Sequence, residues 1–263
     1  MRIPLFLLLA AMSGLEAPQA GAAEKETRLF EMRIYHAAPG KLDALHARFR
    51  DHTLQLFEKH GMTNIGYWVP ADNSENKLIY VLAFSDRPAR DKAFKSFGAD
   101  AAWQKAFKES EKDGKLVTKI ENVFLTATDY SPAVKPGKDG ERAFELRTYT
   151  ASKGNLDNLN ARFRDHTLKL FEKHGMTNVA YWVLAKDQKG AQSPWKEQAD
   201  ATLIYMLAHK SADAAKKSFE EFRNDPDWIK ARKNSEEKAG GPLTIKDGVK
   251  SQFLKATDYS PIK

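Results

Sequence analysis

The chain has no cysteine among its 263 residues, which excludes a disulfide framework, a Cys-zinc site, thiol catalysis and a lipid-anchored cysteine. Apolar runs of membrane-spanning length are missing too. The early apolar stretch, residues 3–12, is followed by Gly14, Glu16 and Pro18, well short of the ~20 residues that a spanning helix needs. His-Glu-x-x-His, Gly-x-Ser-x-Gly and the glycine-rich phosphate loops do not occur. Zinc protease, hydrolase and nucleotide-binding mechanisms therefore have no motif support. Neither sign of charge dominates: 42 Lys and Arg against 35 Asp and Glu leave +7, interleaved along the chain, a mild bias toward anions. At 42% hydrophobic and 29% charged residues, the content is that of an ordinary globular protein of one or two domains.

The N-terminus reads as a leader. Met1 and Arg2 give a positive end, the apolar stretch follows, and Ala20-Gly21-Ala22-Ala23 supplies a small-residue site. That order predicts a secretory signal peptide over residues 1–23. The expected mature protein is periplasmic or secreted, without stable membrane insertion and without nucleic acid as a partner. A chain lacking thiols suits an oxidising compartment.

An internal repeat organises the remainder. Phe30-Glu31-Met32-Arg33-Ile34-Tyr35 returns 114 residues later as Phe144-Glu145-Leu146-Arg147-Thr148-Tyr149. Residues 47–54 return unchanged as 161–168, and 57–64 as 171–178. From Leu78-Ile79-Tyr80 to Leu203-Ile204-Tyr205 the spacing is 125, so the second copy carries 11 extra residues, within the loop 186–201. Ala-Thr-Asp-Tyr-Ser-Pro closes both copies, at 127–132 and 256–261. The predicted domains are 24–132 and 142–263, joined by a Pro-, Gly- and Lys-rich linker at 133–141.

Within each copy the pattern reads strand, helix, strand, strand, helix, strand. Residues 30–35 alternate as a half-buried strand, and 41–60 carry apolar residues at helical spacing up to Gly61. Residues 65–69 and 78–84 form two more strands. A second helix runs through Ala93, Phe94 and Phe97 and restarts near Trp103, where the second copy has Asp225 as N-cap and Pro226 at the first helical position. Residues 120–126 supply the last strand. This βαββαβ order is the ferredoxin-like unit, with both helices on one face of an antiparallel sheet. Strands apolar on both sides of the pleat need cover on the other face as well. The predicted fold class is α+β: two tandem ferredoxin-like units pairing sheet to sheet as an α+β barrel, within one chain or between the chains of a homodimer.

Period two puts Phe30, Met32 and Ile34 on one face of the first strand and Glu31, Arg33 and Tyr35 on the other. With the apolar set turned to the helices, Glu31, Arg33 and Tyr35 and their repeats Glu145, Arg147 and Tyr149 are expected to line the barrel interior. A guanidinium there must be paired. It belongs either to an internal Arg-Glu pair held by Tyr, or to a pocket in which Arg grips a carboxylate or phosphate. His52 lies four residues after Arg48, so Arg48 and His52, like Arg162 and His166, are expected on one helix edge at the sheet rim. His60 complements its own helix dipole. Trp195, in the polar insertion, is expected as an exposed partner contact.

Phe-Glu-x-Arg-x-Tyr, Arg-Phe-Arg-Asp-His, Phe-Glu-Lys-His-Gly-Met, Tyr-Trp and Leu-Ile-Tyr, in this order and twice, together resemble the NIPSNAP family. The resemblance implies the dimeric α+β barrel fold. It implies no established catalytic residues. The leading expectation is an exported binding or interaction protein, without cofactor, whose barrel pocket takes a small anionic ligand or a protein partner. The alternatives are a cofactor-independent oxygenase or isomerase-like enzyme using the Arg, Tyr and His cluster, and a haem-binding protein.

Overall fold

A computed structural model describes residues 26–134, 136–137 and 140–263. The expected signal peptide lies outside the described residues. In the first half, β1 (Leu29–Ala37) leads into a helix composed of α1 (Leu42–Arg48), a π-helical turn (Phe49–Thr53) and α2 (Leu54–Lys59). Then come β2 (Thr63–Pro70), β3 (Lys77–Phe84), α3 (Arg87–Ala99), α4 (Ala101–Ser110) and β4 (Val117–Ala127). The second half repeats this order: β5 (Ala143–Ala151), α5 (Leu156–Arg162), a π-helical turn (Phe163–Thr167), α6 (Leu168–Lys173), β6 (Thr177–Leu184), β7 (Thr202–His209), α7 (Ala212–Asn224), α8 (Pro226–Ala239) and β8 (Thr244–Ala256).

Among the described residues, eight strands close an antiparallel barrel in the order β1-β3-β2-β8-β5-β7-β6-β4. The halves meet at two seams, β2 with β8 and β4 with β6. One chain therefore supplies both sheets of the α+β barrel, and closure requires no second copy. The repeated Thr-Asp-Tyr-Ser-Pro segment reaches across each seam. Arg164 forks onto Asp129 at 2.7 and 2.8 Å, and Tyr130 donates to Asn160 at 2.7 Å. In the mirror arrangement Arg50 forks onto Asp258 at 2.7 and 2.8 Å, and Tyr259 bonds His46 at 2.7 Å. Among the described residues, no helix is long and apolar enough to cross a membrane.

The barrel interior is filled by apolar side chains of both halves, including Phe30, Met32, Trp68, Phe144, Trp182, Met206 and Leu254. Rings meet across it: Phe30 lies 5.9 Å from Trp182, and Trp68 lies 5.8 Å from Phe144. This reverses the expected facing of the first strands. Phe30 and Met32 point inward, whereas Glu31, Arg33 and Tyr35, with Glu145, Arg147 and Tyr149, point to the helices. The reason is pairing: two dry sheets offer a guanidinium nothing to bond, and the helix layer offers tyrosines and charged partners. Period two separates the faces of a strand buried on both sides, but it does not say which of them turns inward.

Trp195 departs from expectation as well. It is half-buried and packs, with Ala199, against the barrel core.

Each two-helix layer is tied by one aspartate. Asp100 caps α4 by accepting from Ala102 N at 2.8 Å, and it also receives Lys59 Nζ at 2.7 Å and His60 Nε2 at 2.8 Å from the end of α2. Asp225 caps α8 in the same way, with Asp227 N, Lys173 Nζ and His174 Nε2. His60 and His174 thus reach across to a neighbouring helix cap besides ending their own helices. The lysine and histidine bonds hold both carboxyls well below the ordinary aspartate value of 3.8. A group depressed on folding stabilises fully above its unfolded pKa and loses that contribution as pH falls from there through its folded pKa. Asp100→Asn and Asp225→Asn should therefore be less stable than the parent at neutral pH, with the gap narrowing by about pH 3. Urea denaturation at both pH values measures this, and an unchanged gap would contradict the assignment.

Candidate functional site

The face of β1 turned to the helices carries a closed ion network. Glu31 is fully buried and receives Arg33 Nη1 at 2.6 Å, Arg90 Nε and Nη2 at 2.8 Å each, and Asn122 Nδ2 at 2.9 Å. Arg33 also donates to the Tyr80 hydroxyl at 2.9 Å and reaches the Tyr35 hydroxyl at 3.5 Å. Burial opposes ionisation of Glu31, but the Arg90 hydrogen bonds and the two guanidinium charges outweigh it and hold the carboxyl below its usual value. This is the geometry of an internal pair, because every charge has a partner.

In the second half the same frame is held by other residues. Arg147 bonds Glu145, Tyr205 and Tyr149. At the repeat spacing, Ala215 stands where Arg90 would be, and His209 Nε2 takes Glu145 Oε2 at 3.0 Å instead, while Ser251 bonds Oε1. A cavity of about 210 Å³ opens there beside Glu145, Arg147, Lys216, Phe219, Arg223 and Phe253.

A larger cavity, about 520 Å³, lies between the sheet and the helices of the first half. Its walls include Tyr35 from β1, Arg48, Phe49 and Thr53 from the π-helical region, and Trp103 and Phe107 from α4. The π turn determines what reaches it. Leu54 N bonds Phe49 O five residues back, and the Thr53 hydroxyl donates to Arg48 O at 3.0 Å. The extra residue shifts the helix phase. Thr53, rather than His52, lies beneath Arg48, and His52 turns to solvent. The expected Arg48–His52 edge is therefore not formed, nor is Arg162–His166: His166 is exposed beside a separate cavity of about 410 Å³ between the two helices.

Arg48 is only 4% exposed. It holds Glu111 at 3.2 Å and Ser110 at 3.3 Å, and stands over the rings of Trp103 and Phe107 at 5.5 and 5.2 Å. Its Nε, like that of Arg162, is buried without a hydrogen-bond partner. Arg162 repeats the arrangement with Glu236 at 3.5 Å and Trp228 at 5.2 Å; burial lowers its pKa, and Glu236 offsets this in part. Exposed Lys115 and Lys119 line the cavity mouth.

Sequence reasoning missed Arg90, Asn122, Glu111 and Gln192. Glu111 leaves a trace, since it repeats as Glu236; Arg90 is one surface-type residue in an amphipathic helix. Among the described residues, no group of three or more His, Asp or Glu converges to hold a metal ion, and no histidine lines the larger cavity. Removing Glu31 leaves two arginines facing one another, whereas removing Glu145 leaves one arginine and a histidine. Glu31→Ala should cost roughly 3–5 kcal/mol and more than Glu145→Ala. Chemical denaturation of both variants measures the order, and equal or reversed losses would contradict the network.

The sequence model of the family described as NIPSNAP matches residues 30–132 and 144–261. No curated protein matches the sequence significantly. Among solved structures, a candidate monooxygenase from Lactobacillus acidophilus aligns with a TM-score of 0.54 at 12% identity, over 89% of this chain and 98% of its own. An anthrone oxidase-like protein gives 0.54 at 12% identity, over 90% and 94%. A NIPSNAP domain protein from Burkholderia xenovorans, 23% identical, covers 40% of this chain and 99% of its own, with a TM-score of 0.36. The first two likenesses concern the fold alone. Both copies of the repeat fall within the family match, and the chain belongs to the NIPSNAP family.

Proposed function

We propose that the protein, exported by its leader to a periplasm or the cell exterior, binds a small, flat, apolar anion in the sheet–helix cavity of its first half, without a cofactor. One observation carries the reading: the buried Arg48 guanidinium borders a ring-walled cavity. A carboxylate is the acceptor that a guanidinium fits best. Phe49, Phe94, Phe97 and Trp103 offer ring edges and faces to a planar body. Lys115 and Lys119 at the mouth favour approach of a negative charge.

A second reading, oxygenation of such an anion, is favoured by Tyr35 lining the cavity with Arg48 and by the likeness in fold to a candidate monooxygenase and an anthrone oxidase-like protein. Oxygen uptake on adding anthrone, above the uncatalysed rate and lost with Arg48, would support it. Uptake at the uncatalysed rate would remove it.

The binding reading is tested by calorimetric titration with 2-naphthoate. Because Arg48→Met alone strands Glu111, the double variant Arg48→Met/Glu111→Gln removes the pair together. It should weaken binding at least about tenfold, the loss expected for one charged hydrogen bond, while the fold is retained by circular dichroism. Undiminished affinity would contradict the site.

A further inference from the structure

The end of the longer loop of the second copy returns to its own β5 and β7 through Gln198 and Ala201. Its first part lies on the other half. Gln188 reproduces a strand pairing with its side chain, accepting from Phe124 N at 3.1 Å and donating to Phe124 O at 2.7 Å. Arg87 donates to Lys189 O at 2.5 Å. Gln192 N donates to both Asn122 O at 3.1 Å and Asn122 Oδ1 at 3.0 Å, and Asn122 is itself fixed by its bond to Glu31 at 2.9 Å. Ser193 then caps a short 3-10 helix (Pro194–Gln198), whose Trp195 packs on the barrel core. A loop held at so many points is a built wall rather than a tether.

Its anchoring places Gln192 in the lining of the 520 Å³ cavity, on the β4 side, with Arg48 on the helical side. The Gln192 side chain is exposed and makes no hydrogen bond within the described residues. The other half lacks this piece: the corresponding loop, 71–76, bonds β8 through Ala71 N to Phe253 O at 2.8 Å, and Arg232 stands at the repeat position of Phe107. The two copies have thus diverged at the wall of the larger cavity.

We propose that the first half alone holds the ligand, and that Gln192, delivered by the second half, is a specificity residue that reads a hydroxyl or carbonyl at the end of the anion away from Arg48. This rests on the anion-binding reading above. The ligand class is narrowed to elongated, planar anions with a polar group at the far end. One half supplies the charge and the rings, and the other supplies the amide that both donates and accepts.

Calorimetry on the full chain with 2-naphthoate and 6-hydroxy-2-naphthoate tests it. The expected result is one site per chain, with the hydroxylated probe bound about tenfold more tightly, the gain of one well-placed hydrogen bond. Gln192→Ala, a change at an exposed position, should abolish that preference and leave 2-naphthoate affinity within about twofold. Two equivalent sites per chain, or a preference unchanged in Gln192→Ala, would overturn the inference while leaving the Arg48 site standing. Failure of the parent protein to bind either probe would overturn both.

Discussion

Water must be kept from both faces of each sheet, and this requirement shapes the molecule. Tyr67, Trp68, Leu78, Ile79, Tyr80 and Val81 are all buried although they alternate across the pleat, so one side needs helices and the other needs a second sheet. Duplication within one chain supplies that sheet. Burial of this kind, at about 25 cal/mol per Å² of apolar surface removed from water, acts over the whole barrel interior, whereas each seam adds only a short ladder of hydrogen bonds. The cross-seam Asp-Arg forks are exposed pairs of small individual worth. Their role is registration: they fix where the tail of each half lies on the other.

Filling the barrel decides where chemistry can occur. With Trp68, Trp182, Phe30 and Phe144 occupying the interior, the charged network and the larger cavity lie in the layer between sheet and helices. There the Glu-x-Arg-x-Tyr strand meets α3 and α7, and the π turn presents Arg48 and Thr53. The Glu31 network is fully satisfied and serves as scaffold, whereas Arg48 borders the large cavity.

Much of this architecture is legible in the amino-acid sequence. The repeat at 114 residues, the two-sided apolar strands and the Asp225-Pro226 helix start lead to paired βαββαβ units, because each is a local pattern with one physical meaning. Three features are not legible there, for identifiable reasons. The inward face of β1 is ambiguous, since both faces are buried. The π turn adds one residue of helical phase without changing composition, so regular i, i+4 spacing points to His52 beside Arg48 where Thr53 sits. The resting place of Trp195 and Gln192 depends on a loop from one half meeting a strand of the other, which neighbouring residues do not encode.

The central claim is that both halves share one core and fold as one unit despite their repeat. Scanning calorimetry of the chain tests it most directly. A shared core predicts a single transition whose calorimetric and van't Hoff enthalpies agree for the whole chain. Two resolved transitions, each with the enthalpy of one half, would contradict it.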